Sequence, residues 1–123
     1  MDTSIKVVLA DTNEDARQLL QATLERDGRF TVTGSTGDGG RVLELVEETR
    51  PEVLLLDLLL PGLDGLTILR RLREQEEGLV VIAVSHFVSQ EMVAEAGSLG
   101  AAIFVSKPYN EEAMEENMLR LLE

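Results

Sequence analysis

Two carboxylates, a hydroxyl and an ammonium each stand at the end of a short apolar run. Asp11 follows Ile5–Ala10, Asp57 follows Val53–Leu56, Ser85 follows Leu79–Val84, and Ser106-Lys107 follow Ala101–Val105. A carboxylate can attack phosphorus and carry the phosphoryl group as an acyl phosphate. The rest of phosphoryl transfer is positioning and neutralisation of the equatorial oxygens. Mg²⁺ held by carboxylates and waters supplies part of that neutralisation. Lys107 is a point charge on a flexible stem, suited to a phosphate oxygen, and Ser85 can donate to another. Each residue also has a plainer reading. Asp57 could open a loop, Asp11 could cap a helix, Ser85 could sit in a turn, and Lys107 could be a surface lysine whose backbone Pro108 restrains.

These residues do chemistry together only if the fold gathers them. Ile5–Ala10 is a β-branched run and predicts a strand, with a polar turn at Asp11–Asn13. Ala16, Leu19, Leu20 and Leu24 recur at helical spacing and predict a helix from Asn13 to Asp27, stopped by Gly28. Arg29–Gly34 alternates as a second strand, Asp38–Thr49 is a helix, and Pro51 ends that segment. Val53–Leu56 is continuously apolar, as expected of a strand buried on both faces of a parallel sheet. Leu58–Asp64 is a loop, and Asp64 caps a helix reaching Gln75. A strand over Leu79–Val84, a helix over Ser89–Ser98, a strand over Ala101–Val105 and a helix from Asn110 to about Leu122 complete the pattern.

Five strand–helix alternations predict an α/β fold: a doubly wound, five-stranded parallel sheet with helices on both faces. In such a sheet ligands bind beyond the carboxyl ends of the strands, where strand order switches. Asp11, Asp57, Ser85 and Lys107 would then face one crevice.

Composition narrows the function. The 123 residues suit one domain, residues 1–123, and 44% apolar content is enough for a core, though aromatics at 3% leave aliphatic side chains to fill it. The chain has no Cys, hence no disulfide framework or thiolate chemistry, which fits a reducing, cytoplasmic setting. No apolar run approaches a membrane span of ~18 residues, and no signal peptide precedes the first strand. A net charge of −12, from 23 acidic and 11 basic residues, argues against nucleic-acid contact by this domain. It suits a solvated surface, a basic partner or cations.

The wording of several segments resembles the receiver domains of bacterial two-component response regulators. The resemblance runs from Ile5 to Leu122 and rests on Lys6–Asp11, Pro51–Gly65 (with Asp-Leu-Leu-Leu-Pro-Gly-Leu-Asp-Gly inside it), Val81–Ser85, Leu99–Ala101 and Phe104–Tyr109. It is nearest in wording to the receivers of sporulation-type transcription regulators. It implies a flavodoxin-like fold and a set of roles. Asp57 would be the phosphoacceptor. Asp11, Asp57 and the backbone carbonyl of Leu59 would bind Mg²⁺. Ser85, Lys107 and Phe104 would be the catalytic and switch residues, with the Lys107–Pro108 bond cis and the Phe104 ring turning inward in the active state. The implied donor is a histidine kinase or phosphotransfer protein. Output would pass through the surface of the fourth helix, fifth strand and fifth helix, which would also serve a homodimer. The resemblance accommodates an output domain C-terminal to this chain.

The sequence departs from the family in two places. The family has two adjacent acids after the first strand, whereas here the pair is Asp11-Thr12. Thr12 offers a neutral hydroxyl in place of a carboxylate, so weakened Mg²⁺ binding is expected. Glu14 or Asp15 could substitute in part, or simply favour the helix N-terminus. His86, the sole histidine, follows Ser85 where small residues are common, and could gate the site or be a plain loop residue. Three other signals are discounted. Ser35–Gly40 lacks the spacing of a nucleotide-binding loop and reads as a flexible turn. Arg70–Arg73 reads as a solvated helix face, and Met114 with Met118 as core. Two alternatives to a phosphorylated switch stand beside it: a pseudo-receiver that only binds partners, supported by Thr12, and an acyl-phosphate hydrolase, which lacks a second general base beyond His86. The expected protein is a phosphoacceptor rather than an enzyme acting on an external substrate.

Overall fold

The computed structural model describes residues 3–26, 28–75 and 78–123. Strands and helices alternate throughout: β1 (Ile5–Ala10), α1 (Glu14–Glu25), β2 (Phe30–Thr36), α2 (Gly39–Thr49), β3 (Val53–Asp57), α3 (Gly65–Gln75), β4 (Val80–Ser85), α4 (Gln90–Ser98), β5 (Ile103–Ser106) and α5 (Glu111–Leu121). All five strands pair in parallel, in the order β2-β1-β3-β4-β5. The doubly wound sheet read from the sequence is therefore the fold. Strand order reverses between β1 and β3, which puts the switch point beside the ends of those two strands.

Side-chain alternation divides the core into two layers. Val8, Ala10, Leu54, Leu56, Val81 and Ala83 pack beneath α2, α3 and α4. The intervening residues Val7, Leu9, Val53, Leu55, Ile82 and Val84 pack against Leu20 and Leu24 of α1 and Met114 and Met118 of α5. A strand covered on both faces must be apolar at every position, and β3 is wholly buried from Val53 to Asp57. Met114 and Met118 fill the core as expected.

The helix starts follow their capping residues. Asn13 accepts from Ala16 N, Asp38 from Gly40 N, Ser89 from Met92 N, and Asn110 from Ala113 N. Asp64 likewise accepts from Thr67 N at 3.0 Å, and this lowers its pKa from the ordinary 3.8.

Two strand boundaries differ by two residues from the sequence reading. β2 continues two residues past Gly34, because Ser35 and Thr36 pair with Leu9 and Ala10 and Thr36 O accepts from Asp11 N. A register shift between Val7 and Val8 leaves Thr33 outside the β1 pairing register, a bulge that no local sequence signal announces. β5 begins two residues later than expected. Ala101 N still bonds to Ala96 O at the end of α4, and Ala102 N reaches Val81 O. The expected end of the first helix at Asp27 lies outside the described residues.

Candidate functional site

Asp57 closes β3, and its partner in the β4 register is Val84. One step further along β4 is Ser85, which is fully buried and whose carbonyl accepts from Lys107 N at 2.9 Å. β1 lies on the other side of β3, and Asp11 directly follows its last residue, Ala10, which pairs with Leu56. Parallel pairing thus sets Asp11, Asp57, Ser85 and Lys107 along one rim.

At the centre of that rim Lys107 Nζ lies 2.7 Å from Asp11 Oδ2 and 3.0 Å from Asp57 Oδ2. All three side chains are at least nine-tenths buried. Burial is the largest single influence on the ammonium and disfavours its charge, but the two carboxylates together outweigh it. The pKa of Lys107 is raised above the ordinary 10.5. Asp57 Oδ1 accepts from Leu59 N at 2.9 Å, and Asp11 Oδ1 from Asn13 N at 2.9 Å. Each carboxylate is therefore oriented by the backbone two residues on, leaving Oδ2 for the cation.

Asp11 Oδ2 has the Lys107 ammonium at 2.7 Å and no further hydrogen-bond donor among the described residues. A buried carboxylate oxygen in that state is an atom that a metal ion satisfies. Among the described residues no group of three or more His, Cys, Asp or Glu side chains converges, so Asp11 and Asp57 are the carboxylates on offer. Thr12 is exposed, and Glu14 and Asp15 are exposed in the first turn of α1. The residues fit Mg²⁺ held by two carboxylates, a backbone carbonyl and water, with no third acid to tighten it.

The remaining expected residues are placed as follows. Ser85 Oγ accepts from Phe87 N at 3.1 Å, which leaves its proton for another acceptor. His86 is exposed immediately beyond it. Leu59 is exposed on the loop after β3. Phe104 is half-buried, pairs with Ala83, and packs on the α2–α3–α4 side. Its ring lines a cavity of about 160 Å³ with Val93, Gly97, Ala101, Ala102 and Ile103, between α4 and β5. The Lys107–Pro108 bond is cis. Arg70 and Arg73 are exposed on α3 as read, but both reach α4. Arg73 donates to the Ser98 carbonyl, and Arg70 lies 4.0 Å from Glu95.

Sequence reasoning missed several contributors. Arg17 Nη1 donates to the Asp11 carbonyl at 2.7 Å, tying the first turn of α1 to the rim. Tyr109 is half-buried beside the site; burial, reinforced by Asp11, Glu111 and Asp57, raises the pKa of its phenol. The stretch read as a flexible turn, Ser35–Gly40, includes buried Gly39, which touches the loop after β3. The spacing of Arg17 one turn into a helix offered a weak signal; the contact of Gly39 offered none.

A family model described as the response regulator receiver domain matches residues 7–119. Among curated proteins, sporulation initiation phosphotransferase F of Bacillus subtilis (strain 168) is 28% identical over 117 residues, covering 95% of this chain and 93% of that protein. Among solved structures, the receiver domain of Francisella response regulator 1452 is 27% identical with a TM-score of 0.87 and covers 96% of each chain. The BeF3-activated N-terminal receiver domain of Klebsiella pneumoniae RstA is 28% identical with a TM-score of 0.82, covering 94% of this chain and 96% of that one. A LuxR-family DNA-binding response regulator from Staphylococcus aureus shares the fold, with a TM-score of 0.90 at 24% identity over 97% of this chain and 99% of that one.

Proposed function

Because the chain belongs to the response regulator receiver domain family, we propose that it accepts a phosphoryl group on Asp57 and passes the change to the α4–β5–α5 surface. The observation that carries the proposal is the buried triangle of Asp11, Asp57 and Lys107, with the lysine within 3.0 Å of both acids. An ion pair that served stability alone would gain little from such burial, since desolvation offsets much of the attraction.

The proposed donor is a phosphohistidine on a kinase or phosphotransfer protein, in the cytoplasm. A carboxylate oxygen of Asp57 forms the new P–O bond as the donor's P–N bond breaks, and the imidazole leaves with that electron pair. Lys107 moves its charge from the carboxylate to a phosphoryl oxygen, and the free proton of Ser85 Oγ is donated to another. Mg²⁺, held by Asp11, Asp57 and the Leu59 carbonyl, would supply further neutralisation of the phosphoryl oxygens. The shift of Ser85 toward the new charge opens room on the β5 side for the Phe104 ring, which already borders a cavity. The chain is in this reading a phosphoacceptor that helps its own phosphorylation, not an enzyme with an external substrate. The RstA receiver, activated by BeF3, is the precedent for using that anion to mimic the phosphorylated state here.

Incubation with acetyl phosphate and Mg²⁺ followed by intact-mass analysis tests the proposal. One added phosphoryl group is expected, and Asp57→Asn should acquire none. A Thr12→Asp variant should bind Mg²⁺ at least about tenfold more tightly, in line with an added carboxylate ligand; equal affinities would remove Thr12 from the account. His86→Ala should shorten the lifetime of the acyl phosphate, and an unchanged decay rate would make His86 a plain loop residue.

A further inference from the structure

The loop that follows Asp57 is held from a second direction. Gly39, the first residue of α2, is buried and its N–H donates to the Pro61 carbonyl at 2.9 Å. The two backbones are so close that a Cβ on Gly39 would stand 1.9 Å from the Leu63 carbonyl oxygen and under 3.0 Å from Leu63 C and N. These are backbone atoms and cannot rotate aside. Gly62 answers from the opposite side. It adopts φ +85°, and a Cβ there would lie 2.7 Å from Asp38 Oδ1, the oxygen that caps α2 by accepting from Gly40 N. The far end of the same loop is fixed by Gly65, whose N–H donates to the Leu58 carbonyl and whose missing side chain admits Leu58.

We propose that the Asp38-Gly39 start of α2 is a positioning element for the acceptor loop, holding residues 59–63 so that the Leu59 carbonyl and the Leu59 N–H bond to Asp57 are set before a divalent cation arrives. The elements concerned are neighbours in space only. Gly39 follows β2 and Pro61 follows β3, two strands that β1 separates in the sheet, so the clasp closes only when the sheet has formed. Its effect reaches Asp57 through two residues: Pro61 is fixed by Gly39, Leu59 precedes it by two, and Leu59 N holds Asp57 Oδ1. A loop fixed in advance saves the entropy that ordering it on binding would cost. With two carboxylates in the pocket among the described residues, the metal depends the more on that preorganised carbonyl.

The inference rests on the proposed Mg²⁺ site, and the experiment separates the two. Mg²⁺ affinity is measured by calorimetry for the unaltered chain, for Gly39→Ala and for Gly28→Ala, and hydrogen exchange of the Leu59 amide is measured without metal. Gly28 also has positive φ but nothing within 4 Å of its Cβ position, so its variant strains the backbone away from the site. The expected result is Mg²⁺ binding by the unaltered chain, at least tenfold weaker binding and faster Leu59 exchange in Gly39→Ala, and affinity unaltered in Gly28→Ala. If folded Gly39→Ala binds Mg²⁺ as tightly as the unaltered chain, the positioning role is wrong and the metal site stands. If Gly28→Ala weakens binding equally, the effect is general destabilisation and the role is again wrong. If the unaltered chain binds no Mg²⁺, both the site and the inference fall. Should Gly39→Ala not fold, Gly62→Ala carries the same expectation at an exposed position, and normal affinity there would overturn the proposal.

Discussion

β3 and β5 lie two places apart in one sheet and are built differently. β3 is buried at all five positions, and its final residue is the proposed acceptor, Asp57. β5 has four residues, none fully buried, and stands at the sheet edge beside a cavity. The proposed acceptor thus closes a strand that is buried throughout. Phe104, whose ring the proposed switch moves, belongs to that half-buried edge, and Lys107 directly follows it. A switch needs both, since bistability requires an edge that can repack against a centre that cannot.

Substitutions should expose that contrast. Leu55→Ala, in the core of β3, should cost about 3–4 kcal/mol in denaturant unfolding, because the packed surroundings cannot collapse into the space. Lys107→Met should cost somewhat less, about 2–3 kcal/mol at neutral pH and low Mg²⁺, since it leaves two buried acids facing each other; added Mg²⁺ should recover part of the loss. Phe104→Ala should cost only about 1–2 kcal/mol, because the ring is half-buried and already borders empty space. If Phe104→Ala proved as costly as Leu55→Ala, the edge would be as rigid as the centre and the contrast would fail.

The smallest expected effect is in alkali. The pKa values of both Lys107 and Tyr109 are raised by the fold above their ordinary 10.5 and 10.0. The unfolded chain therefore loses these protons first as pH rises. Stability from both groups is complete below about pH 10 and declines as pH climbs toward their folded values. Tyr109→Phe should flatten that decline without altering stability at pH 7 by more than about 1 kcal/mol. An unfolding free energy independent of pH between 9 and 11.5 would contradict the assignment.

The same two strands show what was legible in the sequence. Leu54-Leu55-Leu56 before an acid suits a strand covered on both faces, and β3 and the position of Asp57 were read from that local pattern. Once the sheet was parallel, Asp11 and Lys107 had to approach, and they do. The start of β5 was not legible. Ala101 and Ala102 have no pattern of their own, and their N–H groups bond to Ala96 and Val81. The end of β2 was obscured for the opposite reason: Ser35 and Thr36 look like turn residues, and pairing with β1 overrides that preference. Arg17 reaches back only to Asp11, whereas Gly39 meets a loop far along the chain, an approach decided by the assembled fold.

The most direct test of the account is the position of the phosphoryl group. After reaction with acetyl phosphate and Mg²⁺, borohydride reduces an acyl phosphate to an alcohol, and peptide mapping then finds homoserine at the modified aspartate. The account predicts homoserine at position 57 alone. Homoserine at position 11, or a phosphorylated chain with no reducible site, would contradict it.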